Sequence, residues 1–178
     1  MNIIDKIISN FINNKSLYIG EKVTISEHMI QTAMIAEKVK SSNNLICSCL
    51  LHDYGHFILE DPDKLVRKKI DGKHEDIGYE YLKKFFKKDV VEPIKYHVLA
   101  KRYLAKKKKY FNSLSEASKI SLKLQGGVLN KKESKEFEKK DFFKQTIKLR
   151  KFDEIAKRTD MKMKSIIEFK NLLGSHLL

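Results

Sequence analysis

The sequence predicts an all-α domain, a helical bundle with a metal site in its interior, and three observations carry that prediction. Apolar residues recur at three- and four-residue spacing along almost the whole chain. Capping patterns and glycines punctuate that rhythm at helix-length intervals. No stretch alternates apolar and polar residues with the period of two that a half-buried strand requires. At 178 residues the chain can bury one sizeable core. We read residues 1–178 as a single domain, with a motif-bearing core over about 18–157 and residues 158–178 as a C-terminal helix.

Each helix has its own signal. Ile3, Ile4, Ile7, Ile8, Phe11 and Ile12 make a short amphipathic first helix. Thr24-Ile25-Ser26-Glu27 has capping-box spacing and opens a helix to about Lys40, with His28 in its first turn. A buried third helix covers roughly Asn44–Asp53 and stops at Gly55. After a polar connection carrying Pro62 and Gly72, His74 opens a helix through Ile77, Tyr81, Leu82 and Phe85. Asp89-Val90-Val91-Glu92 repeats the capping spacing, which puts Pro93 in the first turn, where its missing N–H has no acceptor to lose. That helix carries His97 and Lys101 four apart, so both project from one face. Ser113-Leu114-Ser115-Glu116 opens a helix that ends at Gly126-Gly127, and Asn130-Lys131-Lys132-Glu133 starts another. Helical patterns continue over Phe142–Lys157 and Met163–Leu173, and the tail beyond, with His176, is expected to fray.

Composition narrows the classes. The apolar runs fall far short of the roughly 20 residues of a membrane span, and Met1–Lys15 lacks the pattern of a signal peptide. Cys47 and Cys49 sit in an apolar helical segment and read as buried small hydrophobes in a reducing compartment. A cytoplasmic protein is the expectation. The net charge of +14, from 37 Lys+Arg against 23 Asp+Glu, favours an anionic partner. The lysines are dispersed, however, and the one dense run, Lys106–Lys109, reads as a solvated helix end.

Five of the six histidines fall into an ordered series with two aspartates: His28, His52-Asp53, His56, His74, His97 and Asp153. Imidazole and carboxylate without thiolate make a site for iron, manganese or zinc. A carboxylate has two oxygens and can bridge two ions, whereas an imidazole nitrogen holds one. The inventory therefore suits two metals sharing Asp53. His56, just past Gly55, reads as a support or substrate contact rather than a turn cap. Lys101, one turn past His97, suits a phosphate or phosphonate group.

The order H…HD…H…H…D resembles the HD-domain superfamily. Four stretches look like its PhnZ/TmpB-type oxygenases, which cleave the carbon–phosphorus bond of hydroxylated aminoalkylphosphonates. They are Tyr18-Ile19-Gly20-Glu21, the block Pro93–Leu104, Ser121–Gly127 with its Gln125-Gly126-Gly127 end, and Leu149–Lys157. This resemblance implies a mixed-valent Fe(II)/Fe(III) pair, with O2 as cosubstrate and a small zwitterionic organophosphonate as substrate. It implies that His28, His52, Asp53 and Asp153 hold one iron, and that Asp53, His74 and His97 hold the other. Tyr18 matches a tyrosine that caps the second iron before substrate arrives, and Glu21 an acid that meets the substrate's amine. His56, Lys101, Ser118 and Arg150 match positions that grip the phosphonate. The products would be phosphate and glycine or a betaine. Two other readings stay open at this point: a metal-dependent HD phosphohydrolase of nucleotides or phosphate esters, and a basic helical nucleic-acid-binding protein with a structural metal.

Overall fold

A computed structural model describes residues 1–18, 20–59 and 71–178; Ile19 and Pro62 lie outside them. Among the described residues the chain is helical, and its only strand-like pairings are the isolated bridges Leu17–Thr24 and Phe86–Leu177. Helix α1 spans Ile3–Asn13 and buries Ile4, Ile7 and Phe11, the stripe its spacing foretold. Helix α2, Ile25–Lys38, starts with both halves of the Thr24/Glu27 capping box. It ends two residues short of Lys40, which takes a left-handed φ of 53°.

Helix α3, Asn43–Leu51, is the hub: every residue from Leu45 to Leu51 is buried. It packs against α2 on one side and against α5, Lys88–Leu104, on the other. The long α5 also receives α4, His74–Leu82, and α9, Phe143–Ile155, while α9 returns to α2. Burying a leucine such as Leu50 or Leu51 contributes about 1.5–3 kcal/mol, so this apolar contact surface fixes the mutual placement of five helices. Asn10 Nδ2 donates to the buried Tyr54 hydroxyl at 2.7 Å and pins α1 to it. Asn10→Ala strands that hydroxyl and is expected to cost about 1–3 kcal/mol in urea unfolding. The Asn10→Ala/Tyr54→Phe pair, which removes both partners, should cost less.

Several local expectations are corrected. The third helix stops at Leu51, not Asp53, and Gly55 does not stop it. Residues Tyr54–Phe57 form a 3-10 turn in which Gly55 allows the start of α4 to approach closely. Helix α5 begins at Lys88, so Pro93 is inside the helix and not in its first turn. The first turn is held otherwise: the Asp89 carboxylate accepts from Asn44, and Ser48 Oγ donates to Val90 O at 2.7 Å. These bonds stitch α5 to α3 and outweigh the local capping pattern. Helix α6 is short, Lys108–Ser113, and α7, Glu116–Leu124, is capped by Ser115 rather than Ser113. Helix α8, Lys131–Glu138, opens on the expected Asn130/Glu133 box. Of the run Lys106–Lys109, the first two residues lie between α5 and α6 and the last two open α6, and all four are exposed.

The C-terminal segment is not one helix and does not fray. It runs as a 3-10 turn, Ile166–Phe169, into α10, Lys170–Ser175. Leu178 N donates to Phe85 O at 2.9 Å and Lys87 N to His176 O at 3.2 Å. His176 is buried, with its Nδ1–H on Leu172 O. No helix among the described residues is long and apolar enough to cross a membrane.

Candidate metal centre

Five elements bring the histidine–aspartate series together: α2 supplies His28, the turn after α3 supplies His52 and Asp53, α4 supplies His74, α5 supplies His97 and α9 supplies Asp153. All are buried except His74, which is partly so. Backbone carbonyls set three of the rings. Nδ1 of His28 lies 2.8 Å from Ala156 O, that of His52 2.9 Å from Cys49 O, and that of His97 2.7 Å from Ile94 O. A carbonyl can only accept, so each Nδ1 carries the hydrogen and, in the neutral ring, each Nε2 presents a lone pair to the interior.

Those lone pairs converge. His28 Nε2 and His52 Nε2 are 3.2 Å apart, and His74 Nε2 and His97 Nε2 are 3.1 Å apart. Two ligand atoms about 2.1 Å from a shared ion and at right angles stand about 3.0 Å apart, so these gaps match edges of a coordination shell. Asp53 divides between the pairs. Its Oδ2 lies 3.4 Å from His52 Nε2 and 3.6 Å from His28 Nε2, whereas its Oδ1 lies 3.2 Å from His74 Nε2 and 3.4 Å from His97 Nε2. Asp153 Oδ1 completes the first set at 3.2 Å from His28 Nε2. Two groups thus meet the geometry for a cation, His28/His52/Asp153 and Asp53/His74/His97.

The donor chemistry also fits a metal pair. Both oxygens of Asp53 and Oδ1 of Asp153 are buried without a hydrogen-bond partner among the described residues, a costly arrangement unless a cation faces them. Burial pushes the Asp53 carboxyl up, but the charge of the neighbouring His52 imidazole holds it well below the usual range. Burial alone would lower His52, yet the carboxylates of Asp53 and Asp153 raise it to about 9. A proton therefore competes with a metal for His52 Nε2, and metal uptake there releases it. The donors are nitrogen and oxygen only, which suits iron, manganese or zinc; Cys47 and Cys49 are buried free thiols.

The residues expected to meet substrate lie around this ring. Tyr18 stacks on His28, with centroids 4.3 Å apart, and lies edge-on to His56 at 6.3 Å. Burial and the carboxylates of Asp53 and Asp153 push its phenol well above its ordinary pKa. His56 stacks on His74 at 4.2 Å, and its Nδ1 is buried without a hydrogen-bond partner among the described residues. Burial and the neighbouring His74 bring His56 down to about 3, so it is neutral. Lys101 is buried and donates to Ser121 Oγ at 2.9 Å; burial and the Arg150 charge lower it to about 7. Arg150 gives its guanidinium to Asp153, Glu154 and the Tyr110 hydroxyl, so in this structure it orients a candidate ligand. Glu21 accepts from Ser115 Oγ at 2.8 Å.

Reading the sequence missed four contributors. Lys157 reaches Glu21 and Ser118, Ser121 holds Lys101, and Ser115 caps α7 while binding Glu21. Glu75 places a buried carboxylate 3.5 Å from His74 Nδ1. The Gln125-Gly126-Gly127 block is architectural. Gly126 and Gly127 adopt φ of 93° and 69°, and Arg102 bonds both carbonyls, clamping the end of α7 onto α5 beside Lys101.

The HD domain family model matches residues 25–165. A [1-hydroxy-2-(trimethylamino)ethyl]phosphonate dioxygenase (glycine-betaine-forming) of Leisingera caerulea is 48% identical over 145 residues, covering 81% of this chain and 74% of the relative. A hydroxymethylphosphonate dioxygenase of Gimesia maris is 39% identical across 88% of this chain and 79% of its own length. An uncharacterized protein of Acanthamoeba polyphaga mimivirus is 37% identical across 90% and 74%. The histidine–aspartate ring lies within the matched span, and the chain belongs to the HD-domain family, related within it to the phosphonate dioxygenases.

Proposed function

We propose that this protein is an O2-dependent dioxygenase that holds two iron ions, cycling through a mixed-valent Fe(II)/Fe(III) state. Its substrate would be a small zwitterion such as 1-hydroxy-2-(trimethylamino)ethylphosphonate. The reaction breaks the C–P bond and the C–H bond on the same carbon. One O2 takes the four electrons and supplies both oxygens gained, so that an α-hydroxyphosphonate becomes phosphate and a carboxylate, here glycine betaine. The observation that supports this reading most is the division of Asp53 Oδ1 and Oδ2 between two separate nitrogen pairs, alongside relatives named as dioxygenases.

When bound, the metal pair supplies the redox chemistry and chelation of substrate oxygens. His28, His52, Asp53 and Asp153 would hold one ion, and Asp53, His74 and His97 the other. Tyr18, over His28, covers the site and shields it from water. Lys101 and neutral His56 would bind phosphonate oxygens, joined by Ser118, while Arg150 braces Asp153. Glu21 would complement the substrate's cation.

Anaerobically purified protein tests this reading through iron content, low-temperature EPR after partial reduction, and O2 uptake with candidate phosphonates. A coupled Fe(II)/Fe(III) signal with phosphate release that depends on O2 is expected. O2-independent hydrolysis of phosphate esters, with no such signal, would establish the hydrolase instead. Lys101→Met should raise KM about 10–100-fold, the worth of one charged hydrogen bond, with iron content unchanged; Asp153→Ala should lower iron content. For pH, a lysine held near 7 is charged below that value and neutral above it. The kcat/KM of the wild type should therefore fall as pH rises through about 7, and Lys101→Met should lose that limb.

A further inference from the structure

Lys157 follows Ala156, the residue that caps the end of α9. Its ammonium donates to Glu21 Oε1 at 3.0 Å, Ser118 Oγ at 3.1 Å and Ser115 Oγ at 3.3 Å, and lies over the Tyr18 ring, 5.6 Å from its centre. Glu154 Oε1 stands 3.9 Å away. A carboxylate, hydroxyls and an aromatic face are what a ligand's own ammonium would seek. The loop bearing Glu21 is held back on itself by Tyr18 N on Val23 O, and Gly20 presses on Ala117 of α7 so closely that an added Cβ would stand 2.6 Å from the alanine methyl. Through Glu21, Lys157 therefore ties loop, α7 and α9 together at the residue set beside Tyr18.

We propose that Lys157 is a specificity-determining latch. Its ammonium keeps the Glu21 carboxylate paired until the cationic group of a ligand takes that carboxylate over. The released Lys157, pivoting on Ser118, then turns to the ligand's anionic end. This rests on the zwitterionic-phosphonate reading above. The exchange keeps a half-buried carboxylate paired in both states, so its desolvation is not met anew on binding. A phosphonate without a cation must open the Lys157–Glu21 pair with nothing to replace it. Selectivity for zwitterions thus comes from trading one ammonium for another. The required motion is small: a flexible four-carbon stem, one residue beyond a helix cap, rotates about a hydroxyl it already touches.

The test is anaerobic titration calorimetry on the iron-loaded protein with two isosteres, 2-(trimethylammonio)ethylphosphonate and its uncharged carbon analogue 3,3-dimethylbutylphosphonate. Wild type should favour the cationic probe. Glu21→Gln frees Lys157 for the phosphonate, so the uncharged probe should bind about fivefold tighter than to wild type, the size of one half-buried ion pair. That gain should vanish in Glu21→Gln/Lys157→Met, while Lys157→Arg keeps the wild-type preference; melting curves confirm that each variant is folded. An uncharged probe indifferent to Glu21→Gln, or a gain that survives loss of Lys157, overturns the latch while leaving phosphonate recognition intact. If neither probe binds wild type or any variant, the phosphonate reading fails and the latch falls with it.

Discussion

Asp53→Ala is expected to abolish turnover and bring bound iron below one ion per chain. Losing a group that merely supports a ligand typically costs about 10–100-fold in metal affinity or activity. Asp53 is read as a ligand to both ions, so its removal should cost more than about 100-fold in activity. Its carboxylate faces four imidazole nitrogens within 3.6 Å. In the variant His28, His52 and His97 keep their carbonyl bonds through Nδ1, and the fold should survive; circular dichroism checks that. Elemental analysis then reads the outcome. Two irons per chain in a folded Asp53→Ala protein would falsify the bridging role.

Gly55→Ala should be nearly as damaging by a different route. A Cβ at Gly55 would stand 1.9 Å from the carbonyl oxygen of His74, 2.8 Å from its carbonyl carbon and 2.9 Å from Gly78 N. All three are backbone atoms that no rotamer change can move. The 3-10 turn and α4 must separate, and overpacking of this kind costs about 1–3 kcal/mol or more. His74 opens α4, so the displacement pulls it from Asp53. We expect a lower melting temperature together with iron content nearer one than two. Gly78→Ala is the milder control, since its nearest contact, at 3.0 Å, calls for a few tenths of an ångström of give. A variant at Gly55 that melts and loads like wild type would show that the two segments can yield.

The ligand ring was legible because its chemistry is scarce: six histidines in the chain, five of them in one ordered series. The helices that carry it were legible because apolar spacing and caps such as Thr24/Glu27 and Asn130/Glu133 are local. What escaped depends on approach through space. Lys157 meets Glu21 from 136 positions away, and nothing local separates it from so many other lysines. Pro93 was placed by a capping pattern at Asp89, but that side chain is spent on Asn44 in another helix. The tail was expected to loosen because nothing in its own sequence announces that Phe85 and Phe86 receive it. Gly55 read as punctuation when its role is to let backbone meet backbone.

Helix α7 contributes none of the candidate metal ligands, which lie on α2, the turn after α3, α4, α5 and α9. It carries instead Ser115 at its cap, Ser118 and Ser121, and is fastened to α5 by Lys101 on Ser121 and, at its far end, by Arg102. Substitutions along α7 can therefore reshape what enters the site without disturbing the machinery that holds the ions. Divergence of preferred substrate on a constant catalytic chassis becomes a matter of a few positions on one short helix.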